Sequence, residues 1–366
     1  MSTEWRWLER FRLQLELCGL GPTETCVVLS ESSSRASIVE TALLAAQSLG
    51  AATLQVVMPT PANTGPVALR STGTSLALRG NPAALAALKE ADFVVDCTAE
   101  GLLHSRELGA ILGAGTRVLM ISNEHPENFE RLPHDPDMAA RVARGHEMIS
   151  AADTMRVTSE AGTDLTVRLA GSFTAGSTGV TSGPGSIAHW PGGLVLAFPA
   201  PGTVSGTIVL APGDINLTFK KYVSSPIRMT VVDDFVTDIS GDGYEADQLA
   251  DYMAAFGGKD AYASSHIGWG MNPAARWDYL DLYDRSQING TEARAFEGNF
   301  MYSTGANETA QRFSPCHFDL PMRRCTVELD GVAVVREGRL QGELARRPAE
   351  DARRPAEDAR CPAEDA

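Results

Sequence analysis

The sequence predicts an α/β protein in two parts, an N-terminal domain with a doubly wound parallel sheet and a C-terminal β-rich α+β domain. Up to about residue 151, short apolar runs alternate with helical segments, the pattern of a parallel sheet covered on both faces. After about residue 153, apolar and polar positions alternate between Gly- and Pro-containing turns, which is typical of antiparallel strands. A length of 366 residues is enough for two cores.

These observations predict an α/β domain over residues 1–152, a β-rich domain over 153–343 and a tail over 344–366. The first domain begins with an amphipathic helix over 4–18, which we expect to pack on the body of the protein or on a neighbouring subunit. The elements that follow alternate in type, with strands predicted at 26–29, 54–58, 93–97 and 118–121, and helices at 36–49, 82–89, 106–112 and 137–151.

Ligands approach such sheets at the carboxyl ends of the strands. The loop after the third strand, 98–104, therefore places His104 where a ligand could be met. No GxGxxG motif occurs in this half of the chain, which disfavours a nucleotide cofactor.

The second domain is predicted to open with a hairpin whose strands, 155–159 and 164–169, flank Ala161-Gly162-Thr163. Residues 171–187 are crowded with Gly and Ser, so we expect a loop over or beside the site. The later elements are predicted as strands at 194–198, 204–210, 215–219 and 227–232, a helix at 246–256, and a hairpin at 326–338 with Asp330-Gly331 at its turn.

The tail repeats Ala-Arg-Arg-Pro-Ala-Glu-Asp with a seven-residue spacing. Each repeat contains Pro, and Ala is the only apolar residue available for a seam, so a coiled coil is disfavoured. We expect this tail to be disordered and dispensable.

Composition excludes several classes of function. A net charge of -15 and the absence of a Lys/Arg stripe argue against a nucleic-acid partner. No segment approaches the roughly 18 apolar residues of a membrane-spanning helix. The six cysteines form no CxxC pair and follow no secretory signal, so neither a zinc knuckle nor a disulfide framework is indicated and a cytoplasmic location is expected.

The strongest chemical signal is His317-x-Asp319. On an extended segment these two side chains project from one face and can converge on one point. His266, isolated among glycines and apolar residues beside a turn, is a plausible third group. Two imidazoles and a carboxylate suit non-haem Fe(II), zinc accepts the same ligands, and a His-x-Asp pair can also be only a local hydrogen bond.

Several short motifs together resemble the M29 metallo-aminopeptidase family over roughly residues 150–340. They are Pro191-Gly192-Gly193, Gly268-x-Gly270-x-Asn272-Pro273, Asn289-Gly290-Thr291, His317-x-Asp319 and Val327-x-Leu329-Asp330-Gly331. M29 enzymes typically bind two metal ions partly through glutamates that follow Pro-Gly-Gly and precede Gly-x-Gly-x-Asn-Pro. Here Leu194 and His266 occupy those regions, which suits one iron better than a dinuclear centre.

The same departures, with His-Ile-x-Trp-Gly, Cys-His-Phe-Asp and His-Trp-Pro-Gly-Gly, resemble the 2,5-dihydroxypyridine 5,6-dioxygenase family of nicotinate degradation. The resemblance implies Fe(II) held by His266, His317 and Asp319. It implies a small aromatic N-heterocycle and O2 as substrates, and ring opening between C5 and C6 to N-formylmaleamate.

The resemblance also matches His104 to a loop His that acts as an acid/base near the substrate. Proton transfer suits imidazoles, and we take His104 and His189 as candidates for it. Ser303 and Arg294 are candidates for binding the polar edge of the pyridine.

Two alternatives remain at this stage. One is an M29-like zinc aminopeptidase or amidohydrolase, and the other is a small-molecule binding protein without catalysis. For a two-domain enzyme with a deep seam we further expect a homo-oligomer, with the N-terminal helix as a candidate contact.

Overall fold

The computed structural model describes residues 3–62 and 75–345, so most of the predicted tail lies outside the described residues. The helices of this part of the chain are α1 (Trp5–Leu17), α2 (Ala36–Ser48), α3 (Pro82–Lys89), α4 (Leu108–Gly113), α5 (Pro126–Arg131), α6 (Pro136–Ala151), α7 (Tyr244–Ala254) and α8 (Thr291–Ala295). Its first ten strands are β1 (Thr25–Glu31), β2 (Ala52–Met58), β3 (Phe93–Asp96), β4 (Arg117–Met120), β5 (Thr154–Thr158), β6 (Asp164–Arg168), β7 (Phe173–Ser177), β8 (Ile187–His189), β9 (Leu194–Phe198) and β10 (Val204–Leu210). The later strands are β11 (Ile215–Asn216), β12 (Lys221–Tyr222), β13 (Ile227–Val232), β14 (Phe235–Ser240), β15 (Ser264–Gly270), β16 (Phe300–Asn307), β17 (Arg312–Met322), β18 (Thr326–Leu329), β19 (Val332–Arg336) and β20 (Arg339–Leu340).

A parallel sheet organises the N-terminal part, as the sequence predicted. Its strand order is β2-β1-β3-β4-β8, and every neighbouring pair is parallel. Strands β1 and β3 are apolar runs buried on both faces, because helices cover the sheet on either side. The fifth strand, β8, comes from beyond residue 152, so the predicted domain boundary stays a prediction.

The N-terminal helix packs on the body of this same chain. Trp7, Phe11 and Leu15 lie on one face of α1 and are buried. The Phe11 ring meets Phe129 and Trp190 edge-on, with ring centroids 5.3 and 4.9 Å apart. The apolar face of this amphipathic helix is therefore buried against the same chain.

Two antiparallel sheets build the C-terminal part. One has the order β14-β13-β10-β6-β5-β18-β19-β20, and the other has the order β17-β16-β15-β9-β7. Apolar side chains from both sheets form one core together with α6 and α7, including Val157 and Leu165 from the first sheet and Trp269 and Phe300 from the second. The smaller sheet, with β17 at one edge and β7 at the other, carries the candidate ligands.

Two predictions of local structure were wrong. The Gly- and Ser-rich stretch 171–187, predicted as a loop, contains β7, because the ladder with β9 supplies the order that local propensity does not. The strand predicted at 215–219 extends over only two residues, Ile215–Asn216, which pair with β12. His266, predicted beside a turn, lies within strand β15, and a turn follows that strand at residues 273–274.

Candidate metal centre

His317 and Asp319 project from β17, the edge strand of the smaller antiparallel sheet. Opposite Asp319 on β16 stands Ser303, and opposite His317 stands Gly305. Gly305 has a φ of +104°, and a Cβ there would lie 1.8 Å from the Cys316 carbonyl oxygen. Glycine is therefore required where β16 and β17 approach closely and their register shifts.

His266 reaches the same point from β15, the next strand of the sheet. The register between β15 and β16 shifts between Ser264 and Ile267, and His266 lies inside that irregularity. Its ring stands 5.1 Å from the His317 ring, measured between centroids. A bulge that re-aims one side chain is common beside active sites.

Hydrogen bonds fix which ring nitrogen of His266 is free. The Ser303 hydroxyl donates to Asp319 Oδ1, so its oxygen accepts from His266 Nδ1, 3.1 Å away. The proton of the neutral imidazole is thereby placed on Nδ1. His266 Nε2 keeps its lone pair and faces Asp319 Oδ1 at 3.5 Å.

The distances from Asp319 Oδ1 to the two imidazole nitrogens fit donor atoms of one ion. His317 Nε2 lies 3.1 Å and His266 Nε2 3.5 Å from Asp319 Oδ1. Donor atoms bound at about 2.1 Å to a common ion are roughly 3.0 Å apart at a right angle and roughly 3.4 Å apart at the tetrahedral angle. Burial lowers the pKa of both imidazoles, which keeps them in the neutral form that binds metals.

Asp319 remains ionised although it is buried. Burial raises its pKa, but the positive charge of Arg294 and the hydrogen bond with His317 outweigh this effect and hold the pKa well below its usual range. Arg294 Nε donates to Asp319 Oδ2 at 2.6 Å. Arg294 therefore engages one carboxylate oxygen and leaves the other turned toward the two imidazoles.

Helix α8 delivers Arg294, and a buried carboxylate anchors that helix. Glu124 accepts the backbone N–H groups of Asn289, Gly290 and Thr291 at 3.0, 2.7 and 2.7 Å. The position of Arg294 thus depends on a residue from the loop after β4. A carboxylate at a helix N-terminus is favourable because it satisfies the free N–H groups there.

His104, from the loop after β3, closes the group from the opposite side. Its ring centroid lies 4.6 Å from that of His317. One ring nitrogen from each of His104, His266 and His317 lies within 4.8 Å of the others, so three imidazoles form an alternative donor set. His104 Nδ1 contacts Glu308, whereas His104 Nε2 is buried without a hydrogen-bond partner among the described residues.

His189 ends β8 at the carboxyl edge of the parallel sheet. Its Nε2 lies 3.2 Å from the Thr291 hydroxyl. Burial, followed by the positive charge of Arg294, lowers the pKa of His189 to about 3. The ring is therefore neutral at physiological pH.

A cavity of about 180 Å³ lies beside the His104 loop. His104, Arg79, Arg106, Phe313 and Ser314 are among its lining residues. Sites for drug-sized ligands usually measure about 300–1,000 Å³, so this cavity suits a small molecule.

The structure brings most of the predicted site residues into direct contact. Ser303 and Arg294, predicted to bind substrate, both contact Asp319, and substrate contact by either stays a prediction. Sequence reasoning missed Glu308 and Glu124. Neither has a motif around it, and each meets its partner across more than 150 residues of chain, so only the folded structure reveals them.

Comparisons with known proteins show the family to which the chain belongs. The model of the family NicX: 2,5-dihydroxypyridine 5,6-dioxygenase matches residues 6–342. The 2,5-dihydroxypyridine 5,6-dioxygenase of Pseudomonas putida KT2440 is 38% identical over 336 residues, which cover 90% of this chain and 94% of that protein.

Solved structures give the same result. The structure of the 2,5-dihydroxypyridine dioxygenase from Pseudomonas putida KT2440 matches with a TM-score of 0.87 and 37% identity, covering 93% of this chain and 98% of that one. AmpT from Thermus thermophilus matches with a TM-score of 0.61 and 14% identity, covering 92% of this chain and 99% of that one. A match at this identity shows the fold alone. The predicted fold class and family resemblance are confirmed, and the chain belongs to the NicX family of 2,5-dihydroxypyridine 5,6-dioxygenases.

Proposed function

We propose that this protein is an Fe(II)-dependent 2,5-dihydroxypyridine 5,6-dioxygenase that opens the ring between C5 and C6 with O2 to give N-formylmaleamate. The observation that carries the proposal is the convergence of His266 Nε2, His317 Nε2 and Asp319 Oδ1 in a chain of this family. A small aromatic N-heterocycle and O2 are the partners that this reaction needs.

Fe(II) is the metal that the donor set and the family together favour. Two imidazoles and one carboxylate on one face form the arrangement of non-haem iron oxygenases. Zinc hydrolases bind their metal through the same ligand types, but their reaction consumes no O2, and this chain belongs to a dioxygenase family. We assign Asp319 rather than His104 to the metal, because Asp319 Oδ1 is within 3.5 Å of both facing imidazole nitrogens. When bound, Fe(II) would supply a Lewis acid with open positions that passes electrons between substrate and O2.

The other side chains prepare the substrate and the ligands. His104 takes the proton of a substrate hydroxyl, since its Nε2 is buried beside the ligands and has no partner in the described part of the chain. His189 stays neutral and gives or accepts a hydrogen bond at the substrate. Ser303 orients His266 and Asp319, and Arg294 keeps Asp319 ionised.

No helix among the described residues is both long and apolar enough to cross a membrane. The homo-oligomeric state stays a prediction. The face of α1 that packs within the chain leaves Trp5 and Leu17 exposed, and these residues are the candidate contact on that helix.

Oxygen consumption tests the proposal directly. Protein purified without oxygen is loaded with Fe(II) and mixed with 2,5-dihydroxypyridine while O2 uptake and the ultraviolet band of the substrate are followed. The proposal predicts one O2 consumed per substrate and a product with the mass of N-formylmaleamate. Zinc-loaded protein that releases amino acids from peptides without O2 uptake would restore the peptidase alternative.

A further inference from the structure

Glu308 is the one carboxylate that the described residues place against His104. It follows β16 in a short helical turn, Glu308–Ala310, and both of its carboxylate oxygens lie 3.2 Å from His104 Nδ1. The two residues are 204 positions apart in the chain. Their contact therefore joins the loop after β3 to the sheet that carries the ligands.

The turn that carries Glu308 is rigidly held. Asn307, which is fully buried, accepts the Ala310 N–H and the Thr309 hydroxyl through its side-chain oxygen. Its side-chain nitrogen donates to the carbonyl oxygens of Pro199 and Ser265 at 3.0 and 3.2 Å. The Asn307 amide thus accepts two hydrogen bonds and donates two, and together they fix where the Glu308 carboxylate lies.

The charge of Glu308 decides which of the two residues donates the hydrogen bond. Burial raises the pKa of Glu308, but the hydrogen bond with His104 outweighs this effect and lowers the pKa of Glu308 below its usual value. Glu308 is then a carboxylate, which has no hydrogen to give and only accepts. When the His104 ring carries a single hydrogen, the two carboxylate oxygens at 3.2 Å place that hydrogen on Nδ1, and Nε2 keeps its lone pair.

We propose that Glu308 is a positioning residue that holds His104 in the tautomer with hydrogen on Nδ1, so that the buried Nε2 is free to accept the substrate proton. The inference rests on the proposed function, because it assigns Glu308 a part in the same reaction. It needs no contact between Glu308 and substrate. A carboxylate that sets the tautomer and orientation of a reactive histidine is a recurring device in enzymes.

The competing explanation is that Glu308 only fastens the His104 loop to the β-rich part. The two explanations differ in what Glu308→Gln does. A glutamine keeps the size and the accepting oxygen, so a fastening role would survive, whereas its amide group can also donate and no longer forces hydrogen onto Nδ1. Glu308→Asp keeps the charge and should restore part of the function.

The test combines kinetics with a direct readout of the tautomer. Nitrogen-15 NMR of histidine-labelled, Zn(II)-loaded protein reports which ring nitrogen of His104 carries hydrogen, with His104→Gln identifying the signal. Kinetics of the Fe(II)-loaded protein give kcat and KM for 2,5-dihydroxypyridine. Glu160→Gln, a change of the same chemistry at an exposed position in the β5–β6 hairpin, is the matched control.

We expect Nδ1 to carry the hydrogen in the wild-type protein and in Glu160→Gln, and the Nε2 form to appear in Glu308→Gln. The kcat of Glu308→Gln should fall about 10–100-fold, with KM, metal content and Tm unchanged, and Glu308→Asp should recover part of it. An unchanged tautomer with kcat within twofold of wild type would overturn the inference. So would a loss of kcat that tracks an equal loss of Tm in both variants.

A failure of the proposed function has a different signature. It would leave the wild-type protein without O2 uptake, and the NMR readout would still report on Glu308. A His104 ring with hydrogen on Nε2 in the wild-type protein would overturn the inference whatever the activity.

Discussion

Removal of one oxygen atom, by Ser303→Ala, should weaken iron binding without disturbing the sheet. The Ser303 hydroxyl accepts from His266 Nδ1 and donates to Asp319 Oδ1, and the side chains of both partners are only 3% exposed. Water cannot readily replace the lost group there. A hydrogen bond to a charged group contributes about 1.5–3 kcal/mol, which corresponds to roughly 10–100-fold in an equilibrium constant.

We therefore expect the Kd for Fe(II) to rise about 10–100-fold, as is usual when residues behind a metal ligand are lost. Competition with a chromophoric chelator under anaerobic conditions measures that Kd. Thr304→Val is the matched control, because Thr304 is the next residue of β16 and its buried hydroxyl has no partner among the described residues. Iron affinity within twofold of wild type in Ser303→Ala would refute the assigned hydrogen-bond polarity and the metal position that depends on it.

Three further predictions concern pH and buried charge. The pKa of His189 is about 3 in the folded protein and about 6.5 in the unfolded chain, so the folded state binds a proton less readily. The contribution of His189 to stability is therefore complete above pH 6.5 and is lost as pH falls toward about 3. Between pH 7.5 and 5.5 the free energy of unfolding of metal-free wild type should fall about 1.4 kcal/mol more than that of His189→Gln, and parallel urea-unfolding curves would contradict this. Glu124→Gln should lower the free energy of unfolding by about 1–3 kcal/mol in the same assay. The amide NH2 that replaces one carboxylate oxygen can only donate, so the N–H groups that this oxygen accepts lose their partner. Arg312→Met should lower the free energy of unfolding by about 3 kcal/mol, because it leaves the buried Asp234 carboxylate without its 2.7 Å ion pair. An unchanged midpoint of thermal or urea unfolding would show that the backbone N–H groups around Asp234 are enough to stabilise its charge.

Sequence periodicity predicted the parallel sheet well, because each buried strand is a short apolar run with its own signature. Periodicity did not predict every strand of the smaller antiparallel sheet. Strand β7 reads Phe-Thr-Ala-Gly-Ser and has little intrinsic strand preference, so its order comes from pairing with β9. Strand β8 joins a sheet whose other strands lie more than 60 residues earlier, and no local pattern carries that information.

For the candidate site too, the sequence predicted some features and not others. The separation of two residues on an extended segment was enough to place His317 and Asp319 on one face, and β17 has that geometry. The partners of those groups were not predictable, because Glu308 and Glu124 act through contacts made only after folding. Arg294 and Ser303 were selected as polar residues near the motifs, and their observed contacts are with Asp319.

The most direct test of the account is the location of the metal. Crystals of protein loaded with Fe(II) under anaerobic conditions would be measured at energies above and below the iron absorption edge. The account predicts one anomalous peak per chain, bounded by His266 Nε2, His317 Nε2 and Asp319 Oδ1. A peak ligated by His104 with Asp319 turned away, or two peaks per chain, would contradict it.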